Sequence, residues 1–465
     1  MDSCDQNTTQ FKQSPQVIVV GASLGGLQAA YELQQRGVSC IVLEARNEIG
    51  GRFHYGLGAT QYPRVWADPA QHPRAWNLVQ DLGLEMTRET LGKSIMRGFG
   101  AYDHDDIPFS DEADHRSYTH VLESIEIFCQ RLDFTHPTHM ATELSDDSSI
   151  TFRDLLIDLG ATPNIQKLAD TWTTTIFGLT ACDVTALDFL RICKTAGGFL
   201  NAIGRLGEGI SPMRIKRPQS LREALAQRLN AGSVLLSQSV CHIDQRLSSK
   251  CMLTTTTEDT FECSRVIVAA PASSFRHIDL SPELEAHGQR TQVYEPSGFC
   301  IRTVLVYDQP WWRTKGLSGS SQSTEGPIWE TQDTSNDEEG VYALTCIAAG
   351  ESGRELWNKD LLERRDTILA HVRDIFSMFT AIPDPILRIE PRDIAYTRQA
   401  LCIAGLGAFV GAGGWEVKGR IHFTGHEANS TGKSHLEGAL ASGSKAAGEV
   451  YAAMMPAEEL ILAKL

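Results

Sequence analysis

The sequence predicts an α/β protein of two or three domains, one of them built on a parallel sheet. Three observations predict this. Near the start, an apolar strand, a glycine-rich loop, a helix and a second apolar strand follow within about 30 residues, the unit from which parallel sheets are wound. Strand patterns return in the middle of the chain and again near its end, alternating with helical stretches. At 465 residues the chain also exceeds one compact domain.

Composition narrows the class. Hydrophobic content of 42% with 22% charged residues describes a globular protein with ample core. A net charge of −16 argues against nucleic acid or an anionic membrane as partner, since phosphates need a basic surface. No run approaches the roughly 18 apolar residues of a membrane span. The most apolar stretch, LCIAGLGAFVGAGGW at 401–415, is glycine-rich and reads as buried loop and strand. The polar N-terminal segment lacks the plan of a secretory signal. Eleven cysteines without CxxC pairs suggest reduced thiols inside the cell. Ala463-Lys464-Leu465 is a variant of the S-K-L peroxisomal address, so the expected location is peroxisomal, otherwise cytoplasmic. A monomer and a homodimer both stay open.

The elements come in order. Gln16-Val-Ile-Val-Val20 is short, β-branched and apolar, as a strand covered on both faces must be. Leu27, Ala30, Tyr31 and Leu33 then recur at helical spacing, and Gly37 stops the helix. Ser39-Cys-Ile-Val-Leu43 is the second strand, closed by Glu44. From about 85 to about 205 the pattern is mainly helical, broken by polar loops such as YDHDDIPFSDEADH at 102–115. His104, His115 and His120 lie in or near that loop at irregular spacing among acids, so it reads as a solvated face and no metal is expected. Strands return over 233–275, and CIRTVLVY and VYALTCIAA come after them. The polar stretch between the last two, SGSSQSTEGPIWETQDTSNDEEG, reads as a surface loop. The chain closes with a strand, a loop and a long helix.

The loop Gly21-Ala-Ser-Leu-Gly-Gly26 fits two chemistries. As G-x-S-x-G it is the turn that presents a nucleophilic serine. As G-x-(G)-x-x-G, with Ser23 in the middle glycine's place, it is a dinucleotide-binding loop. A nucleophile turn borrows an oxyanion amide from an earlier strand–helix loop, and this loop follows the first strand. The dinucleotide reading requires an acid at the end of the second strand to hold ribose hydroxyls, and Glu44 stands there. Gly21 makes the turn, Gly26 lets the helix pack close, and the helix amides face the pyrophosphate.

The residues after the second strand select the dinucleotide. Glu44-Ala-Arg-Asn-Glu-Ile-Gly-Gly-Arg52 resembles the E-A-R…G-G-R segment of the flavin-containing amine oxidase family. Phe423-Thr-Gly-His-Glu427, with a helix starting at His435, is similar to that family's closing flavin motif. Val240-x-x-Ile243 with Val266-Ile-Val-Ala-Ala-Pro271, and Ile301 to Trp312, resemble its middle segment and its substrate-domain strand. The resemblance runs from about 17 to about 450. It implies a Rossmann-like FAD-binding domain, formed by 1–90, 206–275 and 416–465, with a substrate-binding domain inserted as a helical part, 91–205, and a sheet part, 276–415: the amine oxidase fold, with FAD as cofactor. By resemblance, Gly21, Ser23, Gly26, Glu44, Arg46, Gly51 and Arg52 line the ADP half. Val240 meets the adenine through its backbone, and Gly425, Glu427 and the amide of Leu436 line the flavin half.

The catalytic positions depart from the family. His435 and Ile403 stand where monoamine oxidases place the two aromatic residues of an amine cage, so its cation–π guidance is lost. Arg302 stands in place of a lysine that holds a water near the flavin. Arginine keeps its charge at every working pH and cannot act as a base. It either anchors an acidic substrate or keeps that water in place. His435 either acts on substrate as base or hydrogen-bond donor, or only caps its helix. Cys402 lies where some members attach flavin covalently; a buried structural cysteine is the other reading. Arg64-Val65-Trp66 and Arg217-Pro218-Gln219 replace two of the family's glycine-rich spots. The expected reaction is hydride transfer from a C–H next to nitrogen to FAD, with O2 as the second substrate and peroxide as product. Its rivals are an FAD oxidase or desaturase of C–C or C–O bonds in a secondary metabolite, and a non-redox isomerase that retains flavin.

Overall fold

The computed structural model describes residues 14–49, 66–67, 69, 72–88, 92–97, 100–102, 109, 111–132, 150–195, 198–202, 213–216, 218–247, 249–270, 277–282, 298–377, 382–385, 387–389, 417–424 and 435–455. Gly51, Arg52, Cys402, Ile403, Gly425, Glu427 and the Ala463-Lys464-Leu465 tripeptide lie outside them, as does the side chain of His435.

Strand β1 (Val17–Val20), helix α1 (Leu24–Gln35) and strand β2 (Cys40–Leu43) open the chain, and both strands are buried from end to end. Their residues divide strictly by face. Val17, Val19, Cys40 and Val42 pack against Leu27, Ala30 and Leu33 of α1. Ile18, Val20, Ile41 and Leu43 pack on the opposite side against Val240, Ile243 and Leu253. This two-sided burial is why the strands are apolar without alternation.

Strands β3 (Trp66–Ala67), β4 (Met86–Arg88), β5 (Lys93–Met96) and β6 (Gly100–Tyr102) come next, with helix α2 (Pro73–Asp81) between β3 and β4. The helical reading from about residue 85 is therefore corrected: these short strands are set by partners far along the chain, β5 pairing with a strand some 220 residues on. Helices α3 (Glu112–Arg131), α4 (Phe152–Asp158), α5 (Pro163–Phe177), α6 (Ala186–Thr195) and α7 (Phe199–Ala202) then share one core. In the acidic loop, Asp111 caps α3 by accepting from the amides of Ala113 and Asp114. Asp114 is buried and accepts from Thr162 at 2.5 Å and Asn164 at 2.7 Å.

Strand β7 (Met213–Ile215), helix α8 (Pro218–Gln227) and strands β8 (Val234–Leu235), β9 (Val240–Asp244), β10 (Cys251–Thr255), β11 (Thr260–Cys263) and β12 (Arg265–Val268) continue the chain. After β13 (Asp279–Ser281) stand β14 (Cys300–Tyr307), β15 (Leu317–Gln322), β16 (Glu330–Asp333) and β17 (Tyr342–Ala349). Helices α9 (Gly350–Asn358) and α10 (Leu361–Phe376), strands β18 (Leu387–Ile389) and β19 (Ile421–Phe423) and helix α11 (His435–Met454) complete the described elements. The parallel sheet has the order β19-β12-β1-β2-β8, so it is assembled from three separated parts of the chain.

The polar stretch read as a surface loop is instead two inner strands, β15 and β16, of a seven-stranded sheet ordered β18-β14-β17-β16-β15-β5-β6. Its hydroxyls satisfy one another across strands. Ser321 meets Thr331 at 2.7 Å and Thr334 meets Thr345 at 2.8 Å, all four buried. Paired hydroxyls remove the desolvation cost that would keep so polar a strand at the surface. One face of this sheet, with Ile301, Leu305, Leu344 and Cys346, packs on Ile368, Val372 and Phe376 of α10. No helix among the described residues is long and apolar enough to cross a membrane.

His422 on β19 ties this frame to pH. It is 1% exposed, with Nδ1 3.5 Å from Glu449 and Nε2 3.4 Å from a guanidinium nitrogen of Arg265. Arginine can only donate, so Nε2 accepts and Nδ1 carries the proton. Burial lowers its pKa; the Glu449 carboxylate works against this and Arg265 with it. An unfolded histidine, near pKa ~6.5, therefore takes a proton before the folded one. The stability of the neutral form is present above that pH and lost as pH falls through the folded value. His422→Gln is expected to flatten the fall in melting temperature between about pH 7 and about pH 5 relative to wild type, measured by scanning fluorimetry.

Candidate active site

The site begins where β1 ends. Gly21 turns the chain at φ +106°, and a Cβ there would stand 3.2 Å from the Ala269 carbonyl. At Gly26 a Cβ would stand 2.2 Å from the carbonyl oxygen of Gly21 and 2.9 Å from the Cβ of Ala269. Only glycine lets the first turn of α1 lie this close to the turn that feeds it. Ser23 is the N-cap of α1: its Oγ accepts from Gly26 N at 3.3 Å and donates to Ala269 O at 3.0 Å. With both functions engaged by backbone, this hydroxyl is not a nucleophile, and the hydrolase reading ends here.

Glu44 closes the other side. Only 8% exposed, it accepts from Ala22 N at 2.6 Å through Oε2 and from Arg46 N at 3.1 Å through Oε1. A carboxylate offers about four acceptor positions, so two remain for ribose hydroxyls. The segment leading into β9 is tied to the same place, Gln238 N donating to Glu44 O at 2.8 Å and Ser237 N to Arg46 O at 2.7 Å. Val240, buried at the start of β9, stands just beyond. Thus Gly21, Ser23, Gly26, Glu44, Arg46 and Val240 gather at the carboxyl edge of β1 and β2. A helix N-terminus, a glycine cradle and a buried acid with spare lone pairs suit the ADP half of FAD.

The helix expected at the flavin half begins at His435, and Leu436 packs in the core shared with Leu24 and Leu27 of α1. The two helices therefore start at the same edge. Glu437, 1% exposed and not singled out from the sequence, accepts from Arg74 N at 3.2 Å and Ala75 N at 3.0 Å. It caps α2 and holds the first turn of α11 to that helix. Its only trace in the sequence is an acid between apolar neighbours.

Arg302 lies on a different sheet. On β14 it shares a face with Cys300, Val304 and Val306, opposite to the face covered by α10. In register it stands opposite Ile347 of β17, which stands opposite Glu330 of β16. One row thus carries a cation, an apolar residue and an acid. Glu330, which accepts from Gln332 at 2.6 Å, was hidden in the stretch read as loop.

Three comparisons place the chain. The sequence model of flavin-containing amine oxidoreductases matches residues 24–451, and the chain belongs to that family. The "probable flavin-containing monoamine oxidase A" of Dictyostelium discoideum is 23% identical over 457 residues, 93% of this chain and 97% of the relative. Flavin-containing amine oxidase B of Sus scrofa is 26% identical over 468 residues, 96% and 88% respectively. Putrescine oxidase solved with putrescine superposes with TM-score 0.80 at 24% identity, covering 95% of this chain and 99% of that one. Cyclohexylamine oxidase from Brevibacterium oxydans gives 0.79 at 20%, covering 94% and 99%. The fold is that of the FAD amine oxidases, and the protein is an FAD-dependent oxidoreductase.

Two substitutions separate cradle from chemistry. Gly26→Ala meets backbone and is expected to yield protein without bound flavin. Ser23→Ala loses a cap worth about 1 kcal/mol. It is expected to stay yellow and active, melting a few degrees lower. Flavin absorbance per chain and melting temperature check both.

Proposed function

We propose that the protein oxidises a small amine at the C–H next to nitrogen, with O2 as terminal acceptor and H2O2 as product. The row Arg302–Ile347–Glu330, on the face of the substrate-domain sheet turned away from α10, carries this reading. FAD, when bound, supplies the acceptor for the hydride and passes the electrons to O2. The chain's part is to select and orient the substrate and to set its protonation.

Glu330 provides a negative point that draws an amine towards the site in its cationic solution form, and Ile347 beside it covers an aliphatic chain. Arg302 keeps its charge throughout the working range and takes no proton. A fixed positive charge disfavours the ammonium form of an amine held near it. The free base, whose lone pair assists loss of the hydride, is then the form presented. Arg302 thus does by charge what the absent aromatic cage would do by shape. The amine substrate in the putrescine oxidase structure supports the same class for this chain.

The test is anaerobic. The purified protein is mixed with monoamines, diamines and amino acids, and the visible band of oxidised flavin is followed. Bleaching by an amine, with KM raised roughly tenfold in Glu330→Gln, is the expected result. A yellow protein that no amine bleaches would move the reaction to C–C or C–O bonds.

A further inference from the structure

Cys251 and Cys263 bring two thiols into contact where the hairpin of β10 and β11 opens. The strands pair antiparallel with Cys251 directly opposite Cys263, so both side chains leave the sheet on one face. Directly opposite positions have Cα atoms about 4.5–5.5 Å apart, within the span that a disulfide bridges. The thiol of Cys263 is hydrogen-bonded to the sulfur of Cys251. A bond between the two sulfurs therefore asks little of the backbone.

Their surroundings give the two thiols different characters. Contact with the Cys263 thiol lowers the pKa of Cys251, and the guanidinium groups of Arg420 and Arg265 add to this, against burial and Asp244. The same contact, with burial, raises that of Cys263. Cys251 is the readier thiolate, the nucleophilic form, and Cys263 the thiol that keeps its proton. A second thiol contact, Cys129 with Cys193, joins α3 to α6. There burial raises the Cys193 pKa first, and Glu126, an acid, raises it further.

The pair lies at the rim of the fold. Cys251 opens β10 and Cys263 closes β11, two residues before β12 begins at Arg265. Since β12 runs parallel to β1, this is the amino edge of the parallel sheet, opposite to the edge that holds Gly21 and Glu44. Both side chains are covered, 0% and 2% exposed, in the core between the two sheets. However, β11 ends its sheet, ordered β11-β10-β9-β13, and Ser249 and Lys250 just before Cys251 are exposed. Fraying of an end strand at such a rim admits an oxidant little larger than water.

We propose that Cys251 and Cys263 form a reversible disulfide driven by hydrogen peroxide, with Cys251 the attacking sulfur and Cys263 the resolving one. The Cys251 thiolate takes one peroxide oxygen as the O–O bond breaks, giving a sulfenic acid. The other oxygen leaves as hydroxide and, with the proton that Cys251 gave up, becomes water. The Cys263 sulfur then attacks that of Cys251; the S–S bond forms, the S–O bond breaks, and the hydroxyl leaves with the Cys263 proton as a second water. Two thiols are oxidised by two electrons and one peroxide is reduced. The amine oxidation proposed above supplies peroxide within the same chain; the inference rests on that reading only for this supply, because peroxide from any source serves.

The test uses the full-length protein with its flavin and added hydrogen peroxide, so it needs neither substrate nor turnover. After quenching, denaturation and alkylation, trypsin releases both cysteines in one peptide, 251–265, because no lysine or arginine lies between Lys250 and Arg265. At a few-fold excess of peroxide, most copies of this peptide should be lighter by two hydrogens and carry no alkyl group, while Cys129 and Cys193 stay alkylated. Dithiothreitol should restore both thiols. The bridged protein should melt a few degrees higher, since the bridge constrains the unfolded chain. Cys263→Ser should hold Cys251 as a sulfenic acid that dimedone labels, and Cys251→Ser should leave Cys263 a thiol. A wild-type peptide that stays doubly alkylated, or gains oxygen without bridging, would overturn the proposal. So would a sulfenic acid at Cys263 in the Cys251→Ser protein. Either failure leaves amine oxidation standing, because flavin bleaching by amines is read separately.

Discussion

The approach of Gly26 to the carbonyl of Gly21 is the constraint on which the rest of the site depends. With 2.2 Å between a would-be Cβ and that oxygen, no side chain fits. Helix α1 can then start directly on the end of β1 and turn its amides towards the edge. Ser23 fastens the same turn to the end of β12 through Ala269, and Glu44 fastens it to β2 through Ala22. Three strand ends are thus joined by hydrogen bonds within six residues of loop. Each uses a backbone group, so the local geometry leaves little room for side-chain variation. A backbone cradle suits a cofactor that never changes; its partial charges are preorganised and cost nothing to reorient.

This explains what could be read directly. Strands β1 and β2, the loop between them and Glu44 obey local rules: two-sided burial makes apolar runs, close approach demands glycine, and a ribose demands an acid at a set distance. Burial of α11 against α1 is likewise written in a run of small and apolar residues. The failures share one cause. Strands β15 and β16 look like loop because their hydroxyls are matched by partners on neighbouring strands, which no window of sequence contains. β5 and β6 are short edge-side strands that exist through pairing with distant partners. Helices α9 and α10 went unread between recognised strands, although Asp360 caps α10 by the ordinary rule.

The substrate side was legible only by resemblance, and physics says why. Arg302 and Glu330 belong to different strands and come onto one row, with Ile347 between them, only through register on a sheet whose strands had not all been recognised. Glu437 illustrates the same limit. A buried carboxylate holding two amides of another helix is a tertiary fact, and as a residue type it is indistinguishable from a solvated one.

The two halves of the site are therefore free to change in different ways. The cofactor half is made largely of main chain and glycine, so replacing a residue disturbs the fold before it alters the chemistry. The proposed substrate half is made of side chains standing on one face of a sheet. Arg302 and Glu330 project from one row of that sheet, with Ile347 between them, and the backbone ladder runs continuously through all three strands. On the proposed reading, substrate preference is a matter of which charges project from that face, while the cofactor is set by where the chain can approach itself.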